Sequence, residues 1–224
     1  MLQENVILVL ERDAEQNALD ISMSKNGEMD EYREERYPFE KIVRPDDPEL
    51  FIHIPDCQGE QISLCGADHS LESLGIEVST GPVVDFRLKE HLRTMPLPDD
   101  APLLYPGHFN GKTEWPRANF KKPNAMARCP ETMKWLYPNG HYVIVRRLSS
   151  KEEKRRVVAY HVQPKDFPGH PYLGFENHLN VFHRRKQGLP PELACGLALY
   201  LNSSFVDILF RSFNGHTQVN ATDL

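Results

Sequence analysis

The segment ENHLNVFH carries the residue types that best match an acid–base or metal site, because Glu176, His178 and His183 fall within eight residues. On a β-strand, alternate side chains share a face, so Glu176 and His178 would lie with Asn180, and Asn177 would lie with His183. A carboxylate beside an imidazole can transfer protons or bind a divalent metal. A hydrogen-bonded polar strand face gives the same pattern, and no nucleophile with an activating partner accompanies it. We therefore predict no catalytic residue and no metal site, with a metal-dependent nuclease or hydrolase as the alternative.

Lysine and arginine side chains form three clusters on predicted loops, in the segments NFKKPNAM, VRRLSSKEEKRR and HRRK. Ammonium and guanidinium groups neutralise phosphates, and loops on a rigid sheet are suited to such contacts. A solvated charged surface is the alternative for each cluster taken alone. The predicted phosphate contacts are Lys121, Lys122, Arg146, Arg147, Lys151, Lys154, Arg155, Arg156, Arg184 and Arg185, and Lys186 closes the third cluster.

The last residues, FNGHTQVNATDL, are rich in amides that could read bases. Asparagine and glutamine can form paired hydrogen bonds to adenine, as arginine can to guanine. Gln218 and Asn220 would share one face of an extended segment. A turn at a strand edge with locally satisfied amides is the alternative. The predicted base contacts are Asn214, His216, Gln218 and Asn220, together with Asn124 and Arg87.

The N-terminal part of the chain is predicted to hold a β-hairpin and an acidic connector. The β-branched runs NVILVLER, residues 5–12, and ALDISMS, residues 18–24, flank a five-residue polar link, which is typical of a hairpin. Residues 25–49 are acidic and contain several prolines, as expected of a connector. The segment FIHIP, residues 51–55, predicts a short strand.

Short strands are predicted for the middle of the chain and helices for its end. A strand is expected before a bend at 79–82, and a second strand after the bend should end at Arg87. Recurring prolines between 94 and 140 exclude long helices there. Residues 141–162 predict a hairpin, although Ser150 and Glu153 could form a capping box that starts a helix. HLNVFHRR predicts one more strand, and ELACGLALYLNSSFVDILFRSF predicts two packed helices or one bent helix. The predicted fold class is α+β, with mixed, largely antiparallel sheets and a C-terminal helical pair packed on them.

Charge is distributed unevenly along the chain. Residues 1–70 contain 6 Lys and Arg against 17 Asp and Glu, whereas residues 112–186 contain 16 against 6. A basic block of this size favours a nucleic-acid partner despite the overall charge of −6. The acidic first 70 residues leave a protein-interaction domain as a further alternative.

Membrane and disulfide classes are disfavoured by the same sequence. No stretch approaches the roughly 20 apolar residues that span a bilayer, and the first residues lack the basic region of a signal peptide. The four cysteines form no CxxC pair, so reduced thiols are expected. We expect a cytoplasmic protein with no membrane partner.

Several segments, in their order along the chain, resemble the C-terminal part of adenine-specific DNA methyltransferases of type II restriction–modification systems. The opening LQENVI resembles a recurring stretch late in the catalytic domain of these enzymes. The segments VSTGPVVDFR, NFKKPNAM, VRRLSSKEEKRRVVA, GFENHLNVFH, LALYLNSSFVDILFR and GHTQVNATDL resemble the remaining C-terminal sequence of such enzymes, most closely that of the PstI/BsuBI-type modification methylases. The resemblance covers essentially the whole chain.

The resemblance implies a function in DNA sequence recognition. Family members transfer a methyl group from S-adenosylmethionine to an adenine that is first flipped out of the double helix. The family's Asn/Asp-Pro-Pro-Tyr/Phe motif and glycine-containing cofactor motif do not occur in this sequence. The chain therefore resembles the C-terminal portion of such an enzyme. The resemblance implies that the chain by itself binds no cofactor and transfers no methyl group, and that its partners are double-stranded DNA and an N-terminal catalytic domain. Residues 1–69 would then be the end of the catalytic domain together with the connector, and residues 70–224 would be the target recognition domain. In the family, the sequence continues past the position of Leu224.

Overall fold

The computed structural model describes residues 7–9, 11–13, 15, 17–24, 32–45, 52, 69–150 and 152–224. The chain divides into two compact units. One comprises Met1–Leu64 with Ile208–Gly215, and the other comprises Cys65–Asp207 with His216–Leu224. These units are defined by packing, so the predicted functional boundary between residues 69 and 70 stays a prediction.

The N-terminal unit contains an antiparallel hairpin of β1 (Ala18–Met23) and β2 (Arg33–Pro38), followed by the single-turn helix α1 (Phe39–Ile42). The second arm of the predicted hairpin is thus a strand, but its partner comes from the segment predicted to be a connector. The described residues of the predicted first arm, 7–9 and 11–12, are not in a strand. The hairpin prediction was therefore wrong in its pairing.

The β1–β2 pairing includes a cross-strand ion pair. Asp20 lies opposite Arg36, with 3.7 Å between their side chains, and opposite charges on facing strands stabilise a pair. Hydrophobic patterning cannot detect a strand whose residues are mostly exposed and charged, as in β2. The predicted strand FIHIP lies outside the described residues except for Ile52, which forms an antiparallel bridge with Val43.

Nine strands lie in the described part of the second unit, arranged in two sheets. They are β3 (Glu77–Thr80), β4 (Leu92–Arg93), β5 (Ala101–Leu104), β6 (Ala125–Met126), β7 (Leu136–Pro138), β8 (Tyr142–Arg146), β9 (Ala159–Val162), β10 (Tyr172–Phe175) and β11 (Leu179–His183). One sheet has the order β4-β6-β5-β10-β7 and the other β3-β11-β8-β9. All pairs are antiparallel except β5 with β10. The predicted hairpin across 141–162 is confirmed by the pairing of β8 with β9.

Short 3₁₀ helices lie between the strands, at Asp85–Arg87, Lys89–His91, Pro106–His108, Met133–Trp135 and Pro164–Asp166, and one more, Ala221–Asp223, lies near the C-terminus. At the bend after β3 the chain passes close to another strand, and only glycine fits at position 81, because a side chain there would collide with the carbonyl oxygens of Phe175 and Glu176. After the bend, the predicted second strand is reduced to a parallel bridge between Val83 and Glu176. The chain then turns into the first 3₁₀ helix.

The central strand of the five-stranded sheet, β5, is buried on both faces. Leu104 of β5 packs with residues of the four-stranded sheet such as Ile144 and Val181, whereas Leu103 belongs to a second cluster with Leu88 and Met126. Consecutive strand residues point to opposite faces, so both faces of β5 pack against apolar groups. The main core therefore lies between the two sheets.

Two α-helices follow β11, α2 (Pro191–Leu201) and α3 (Ser204–Phe213), with a bend of 60° at the break between them. Pro191 occupies the first turn of α2, and the Ser203 hydroxyl accepts a hydrogen bond from Val206 N at the start of α3. Helix α2 packs on β8 and β9. The predicted α+β class with largely antiparallel sheets and a C-terminal helical pair is confirmed.

Among the described residues, no single helix is long and apolar enough to cross a bilayer. The bent pair α2 and α3 passes a test of length and composition only when the two helices are taken together.

Candidate nucleic-acid interface

The segment near the C-terminus pairs with the start of the loop that joins β8 and β9. Leu148 and Gln218 form an antiparallel bridge, Ser149 N donates to Thr217 O at 3.0 Å, and Val219 N donates to Arg147 O at 2.8 Å. Val219 is buried and Gln218 is exposed, as the alternation of an extended chain requires. This pairing places Gln218 beside the second basic cluster.

The buried side chain of Arg156 stabilises the contact between the β8–β9 loop and the C-terminal segment. It is 1% exposed, its Nε donates to Ser149 Oγ at 3.1 Å, and its guanidinium also donates to the carbonyl of His216. Its backbone N–H donates to the Asp207 carboxylate at 2.6 Å. These bonds tie the basic loop to the C-terminal segment, so the structure gives Arg156 an internal role.

Arg146, another cation of the second cluster, forms an ion pair with Glu153, with 2.6 Å between the two side chains. Burial opposes ionisation of Glu153, but hydrogen bonds from Arg146 and Ser150 N outweigh it, so the pKa of that carboxyl is lowered. The Ser150–Glu153 contact predicted as a capping box is present, but it closes a turn and starts no helix.

The remaining members of that cluster lie on the same loop. Arg147 donates weakly to Asn177 O at 3.4 Å, and Arg155 donates to Asn202 O. Lys154 is exposed. Lys151 lies outside the described residues.

The three predicted DNA contacts of the first cluster differ in exposure: Lys121 and Lys122 are exposed, whereas Asn124 is buried. Lys122 forms a 2.7 Å ion pair with Asp85. The hydrogen bond that the Lys122 ammonium donates to the Asp85 carboxylate raises the pKa of Lys122.

Asn124 is fully buried and its amide is used internally. Its oxygen accepts from Arg117 N at 2.8 Å and bonds to His108 Nε2 at 3.0 Å, while its Nδ2 donates to Thr94 O and Arg117 O. The Nδ1 of His108 accepts from Tyr105 N, so the neutral ring carries its hydrogen on Nε2. Burial lowers the pKa of His108 to about 4. Asn124 thus fixes the loop that carries the exposed lysines.

The third cluster lies at the other end of the sheet. Arg147 N bonds to His178 O, just before β11, whereas Arg184, Arg185 and Lys186 follow β11. Five residues of strand separate the two ends by roughly 15 Å. Arg184 donates to Leu74 O at 2.6 Å, and Lys186 Nζ to Lys134 O at 3.2 Å. The three predicted clusters therefore do not form one surface.

The predicted base-contact residues are also distributed. His216 and Gln218 are exposed, whereas Asn214 is buried and belongs to the N-terminal unit. Asn220 N and Nδ2 both donate to the Asp223 carboxylate, at 3.0 and 3.2 Å. Arg87 is exposed, with its guanidinium 5.5 Å from the ring centre of Phe86. Local satisfaction, the alternative given for the amide cluster, thus describes Asn220.

The residues of the alternative acid–base site fall into two separate arrangements. Glu176 is fully buried and accepts hydrogen bonds from His178 N and, at 2.6 Å, from His178 Nδ1. His183 lies 2.8 Å from Ser79 Oγ, and Glu77 is 3.7 Å from its Nδ1. That set has the composition of a nucleophile triad.

The hydrogen-bond directions around His183 are unsuited to activating a nucleophile. Lys186 N donates to Nδ1 at 3.2 Å, so this nitrogen is an acceptor. Burial lowers the pKa of His183 and favours the neutral ring, which then carries its hydrogen on Nε2 and donates to Ser79. Such an imidazole cannot accept the serine proton. Among the described residues, no group of three His, Cys, Asp or Glu side chains could hold a metal ion.

A cavity of about 400 Å³ brings the first two clusters together. Its apolar walls include Tyr105, Phe120 and Leu148, and its polar side chains include Lys122, Arg146 and His178. Tyr105, Phe120 and Leu148 were absent from the predicted site. The only sequence signal for these residues is that they lie in or near the segments NFKK and VRRL. The contact between the two segments is long-range and cannot be read from the sequence.

Comparison with known proteins identifies the class of relatives. No family model and no solved structure matches the chain. The chain is 54% identical over 230 residues to type II methyltransferase M.BsuBI of Bacillus subtilis, a match to 100% of this chain and 45% of that protein. It is 45% identical over 191 residues to type II methyltransferase M.PstI of Providencia stuartii, a match to 84% of this chain and 38% of that protein.

The chain is therefore homologous to part of the type II methyltransferases, and the predicted resemblance is confirmed. The relatives that it matches are the BsuBI and PstI enzymes, and it spans less than half of their length.

Proposed function

We propose that this chain is the DNA sequence-recognition portion of a site-specific, adenine-specific DNA methyltransferase of a restriction–modification system. The observation that carries the proposal is the identity of 54% with M.BsuBI across the whole chain. The basic loops around β8 and the first lysine cluster support it, since both carry exposed cations on a rigid sheet.

The residues divide by their accessibility. Exposed or half-exposed cations contact phosphates, and the exposed His216 and Gln218 are the candidates for base contact. The phosphate set comprises Lys121, Lys122, Arg146, Arg147, Lys154 and Arg155, and Lys122 and Arg146 would exchange their ion pairs with Asp85 and Glu153 for phosphates. Asn124 and Arg156 support these residues from the interior, because each is buried with internal hydrogen bonds. Asn214 is left out because it is buried, and Asn220 because its amide bonds to Asp223. Arg184 and Arg185 are exposed, but they are left out because they follow β11 at the opposite end of the sheet.

Methyl transfer belongs to the complete enzyme in this proposal. The chain has neither the Asn/Asp-Pro-Pro-Tyr/Phe motif nor the glycine-containing cofactor motif, so S-adenosylmethionine would be bound by a separate catalytic domain. The complete enzyme would act in the cytoplasm on double-stranded DNA. Incubation of the chain with labelled S-adenosylmethionine and DNA should transfer no methyl group, and transfer above background would contradict this assignment.

DNA binding is tested by selection and titration. A duplex pool with a randomised centre is enriched on the immobilised chain, and the enriched duplex is compared with a scrambled duplex at several salt concentrations. The proposal expects a steep fall of affinity with salt, because bound phosphates release counterions, and a preference for the enriched sequence. Binding that is absent at low salt, or that shows no sequence preference, would overturn it.

A further inference from the structure

Three buried hydrogen-bond donors at the cavity of about 400 Å³, or next to it, lack an acceptor among the described residues. They are the hydroxyl of Tyr105 and the Nε atoms of Arg146 and Arg147. Tyr105 and Arg146 line the cavity, and the backbone N–H of Arg147 donates to His178 O at 2.8 Å. Because an unpaired buried donor is costly, this grouping indicates a place for a ligand that accepts hydrogen bonds.

His178 brings a further polar atom to the same cavity. Glu176 is fully buried, and its carboxylate accepts hydrogen bonds from the backbone N–H of His178 at 3.0 Å and from Nδ1 at 2.6 Å. Nδ1 therefore carries a hydrogen, and a second proton on the ring would add at Nε2. The His178 side chain is 47% exposed. Glu176 thus orients the ring and leaves Nε2 for a ligand.

Protonation decides what Nε2 of His178 can bind. In a neutral imidazole with its hydrogen on Nδ1, Nε2 accepts hydrogen bonds, whereas in the imidazolium it donates them. Burial raises the pKa of Tyr105 above its usual range, so its hydroxyl keeps a hydrogen to donate. A ligand that only accepts hydrogen bonds can therefore pair with both side chains when His178 is charged.

Three other elements bring charged groups close to His178. Asp85 lies in the first 3₁₀ helix, and its pKa is lowered most by the hydrogen bond from Lys122, with a smaller attraction to His178. Lys122, in the first cluster, and Arg146, at the end of β8, line the cavity and form ion pairs with Asp85 and Glu153. Exchange of those ion pairs would turn two cations toward a bound anion.

A phosphate group of DNA meets these requirements. Its oxygens accept hydrogen bonds from neutral and charged donors, and such contacts position a protein on DNA without reading the sequence. We propose that this cavity binds one phosphate of the bound DNA through Tyr105, Lys122, Arg146 and His178, and that His178 takes up a proton at Nε2 as the phosphate binds. The inference rests on the proposed DNA-binding function and adds a dependence on pH. Because the bound phosphate retains that proton, affinity is highest at low pH and falls as pH rises through the range in which histidines titrate.

Titration of the enriched duplex with the full chain at constant salt, between pH 6 and 8, tests the contribution of His178. The affinity of the parent should fall about tenfold over this range, since an anion next to a histidine favours its charged form by at least this factor. His178→Asn keeps an N–H group beside Glu176 but has no Nε2. It should bind like the parent at pH 8 and about tenfold more weakly at pH 6.

Two further histidine variants make this comparison secure. His69→Asn changes an exposed histidine outside the cavity and should keep the pH profile of the parent. His178→Gln carries the same expectation as His178→Asn and replaces it if that variant does not unfold cooperatively in urea.

Tyr105→Phe tests the unpaired hydroxyl. Because this hydroxyl has no acceptor among the described residues, its removal should not lower the urea midpoint, but it should weaken DNA binding several-fold. Tyr142→Phe is the matched control, since the Tyr142 hydroxyl donates to Pro138 O at 2.6 Å. That variant should lower the urea midpoint and leave DNA affinity unchanged.

Enriched and scrambled duplexes separate a phosphate contact from a base contact. Equal losses on both duplexes support the phosphate site, whereas losses confined to the enriched duplex would place these side chains against a base and overturn it. Unchanged affinity of Tyr105→Phe, or a pH profile of His178→Asn equal to that of the parent, would overturn the inference while salt-dependent binding upholds the proposed function. Absence of salt-dependent binding to either duplex would overturn both.

Discussion

Asn124 shows how burial decides the role of a single residue. An amide can read adenine only when it is accessible, and this one is 0% exposed with both its oxygen and its nitrogen bonded within the protein. Asn124→Ala should lower the free energy of unfolding by roughly 3 kcal/mol, since it leaves buried partners unpaired. Urea titration measures this loss.

An exposed asparagine provides the control for that substitution. Asn110→Ala should change stability by less than about 0.5 kcal/mol, because residue 110 is exposed. If Asn124→Ala instead kept full stability and lost sequence preference in DNA binding, Asn124 would contact a base after all.

His108 should make stability depend on pH. Its folded-state pKa is lowered from 6.5 to about 4 by burial, so the unfolded chain binds the proton more readily between these values. Its contribution is present above pH 6.5 and is lost as pH falls toward 4, by roughly 3 kcal/mol in total. His108→Gln should flatten the profile of unfolding free energy in this window. An unchanged slope would show that His108 titrates normally. The lowered pKa values of His161 and His183 act in the same direction, so the comparison requires the variant.

At the scale of elements, the C-terminal segment combines stability and recognition at adjacent positions. Val219 is fully buried, and its carbonyl accepts from Asn180 Nδ2 at 2.7 Å. Val219→Asp should destabilise the protein by roughly 3 kcal/mol, because it buries a charge. Thr217→Asp, at an exposed position of the same segment, should change stability little. Thermal unfolding compares the two, and equal effects would mean that the segment is not docked.

Gln218→Ala separates recognition from this docking. Gln218 is exposed beside Leu148, so its truncation should leave unfolding unchanged within about 0.5 kcal/mol. It should reduce the preference for the enriched duplex by about tenfold. Asn220→Ala should not alter that preference, because the Asn220 amide bonds to Asp223. Titration of enriched and scrambled duplexes measures both, and an equal loss for the two variants would contradict the distinction.

Local signals were sufficient for elements that pair with sequence neighbours. The β-branched arms of the β8–β9 hairpin and the prolines and serines around α2 and α3 identify those elements before any contact is known. The prediction gave the N-terminal hairpin the wrong pair of strands because β2 consists largely of exposed charged residues. Hydrophobic patterning does not distinguish such a strand from a connector. The bridge of Val83 to Glu176 could not be foreseen, since it depends on a partner strand far along the chain.

The candidate site was predictable in composition but not in geometry. The positions of the cations are evident from the sequence, whereas the burial of Arg156 depends on Ser149, Asp207 and His216, up to 60 residues away. Charge alone therefore cannot separate an arginine that holds the fold from one that meets a phosphate. The apolar wall of the cavity was missed for the same reason.

At the scale of the whole molecule, the position of the basic clusters limits which surface can face DNA. The loop after β8 shares its end of the sheet with the cavity and the C-terminal segment, whereas the turn at Arg184–Lys186 lies beyond the opposite end of β11. A single docking surface on this unit then uses one end and leaves the other in solvent. The amides and aromatic walls are found at the β8 end, so we expect DNA there.

Two exposed cations at the opposite ends test this orientation. Lys154→Ala should weaken binding to any duplex several-fold and reduce the slope of log affinity against log salt by about 1, because one phosphate contact is lost. Arg185→Ala removes the same charge from the far end and should change neither quantity. Both side chains are exposed, so both variants should unfold like the parent. Filter binding at four or more salt concentrations measures the slopes. Equal losses for the two variants would mean that DNA contacts both ends of the sheet, and a loss for Arg185→Ala alone would place the interface at the opposite end.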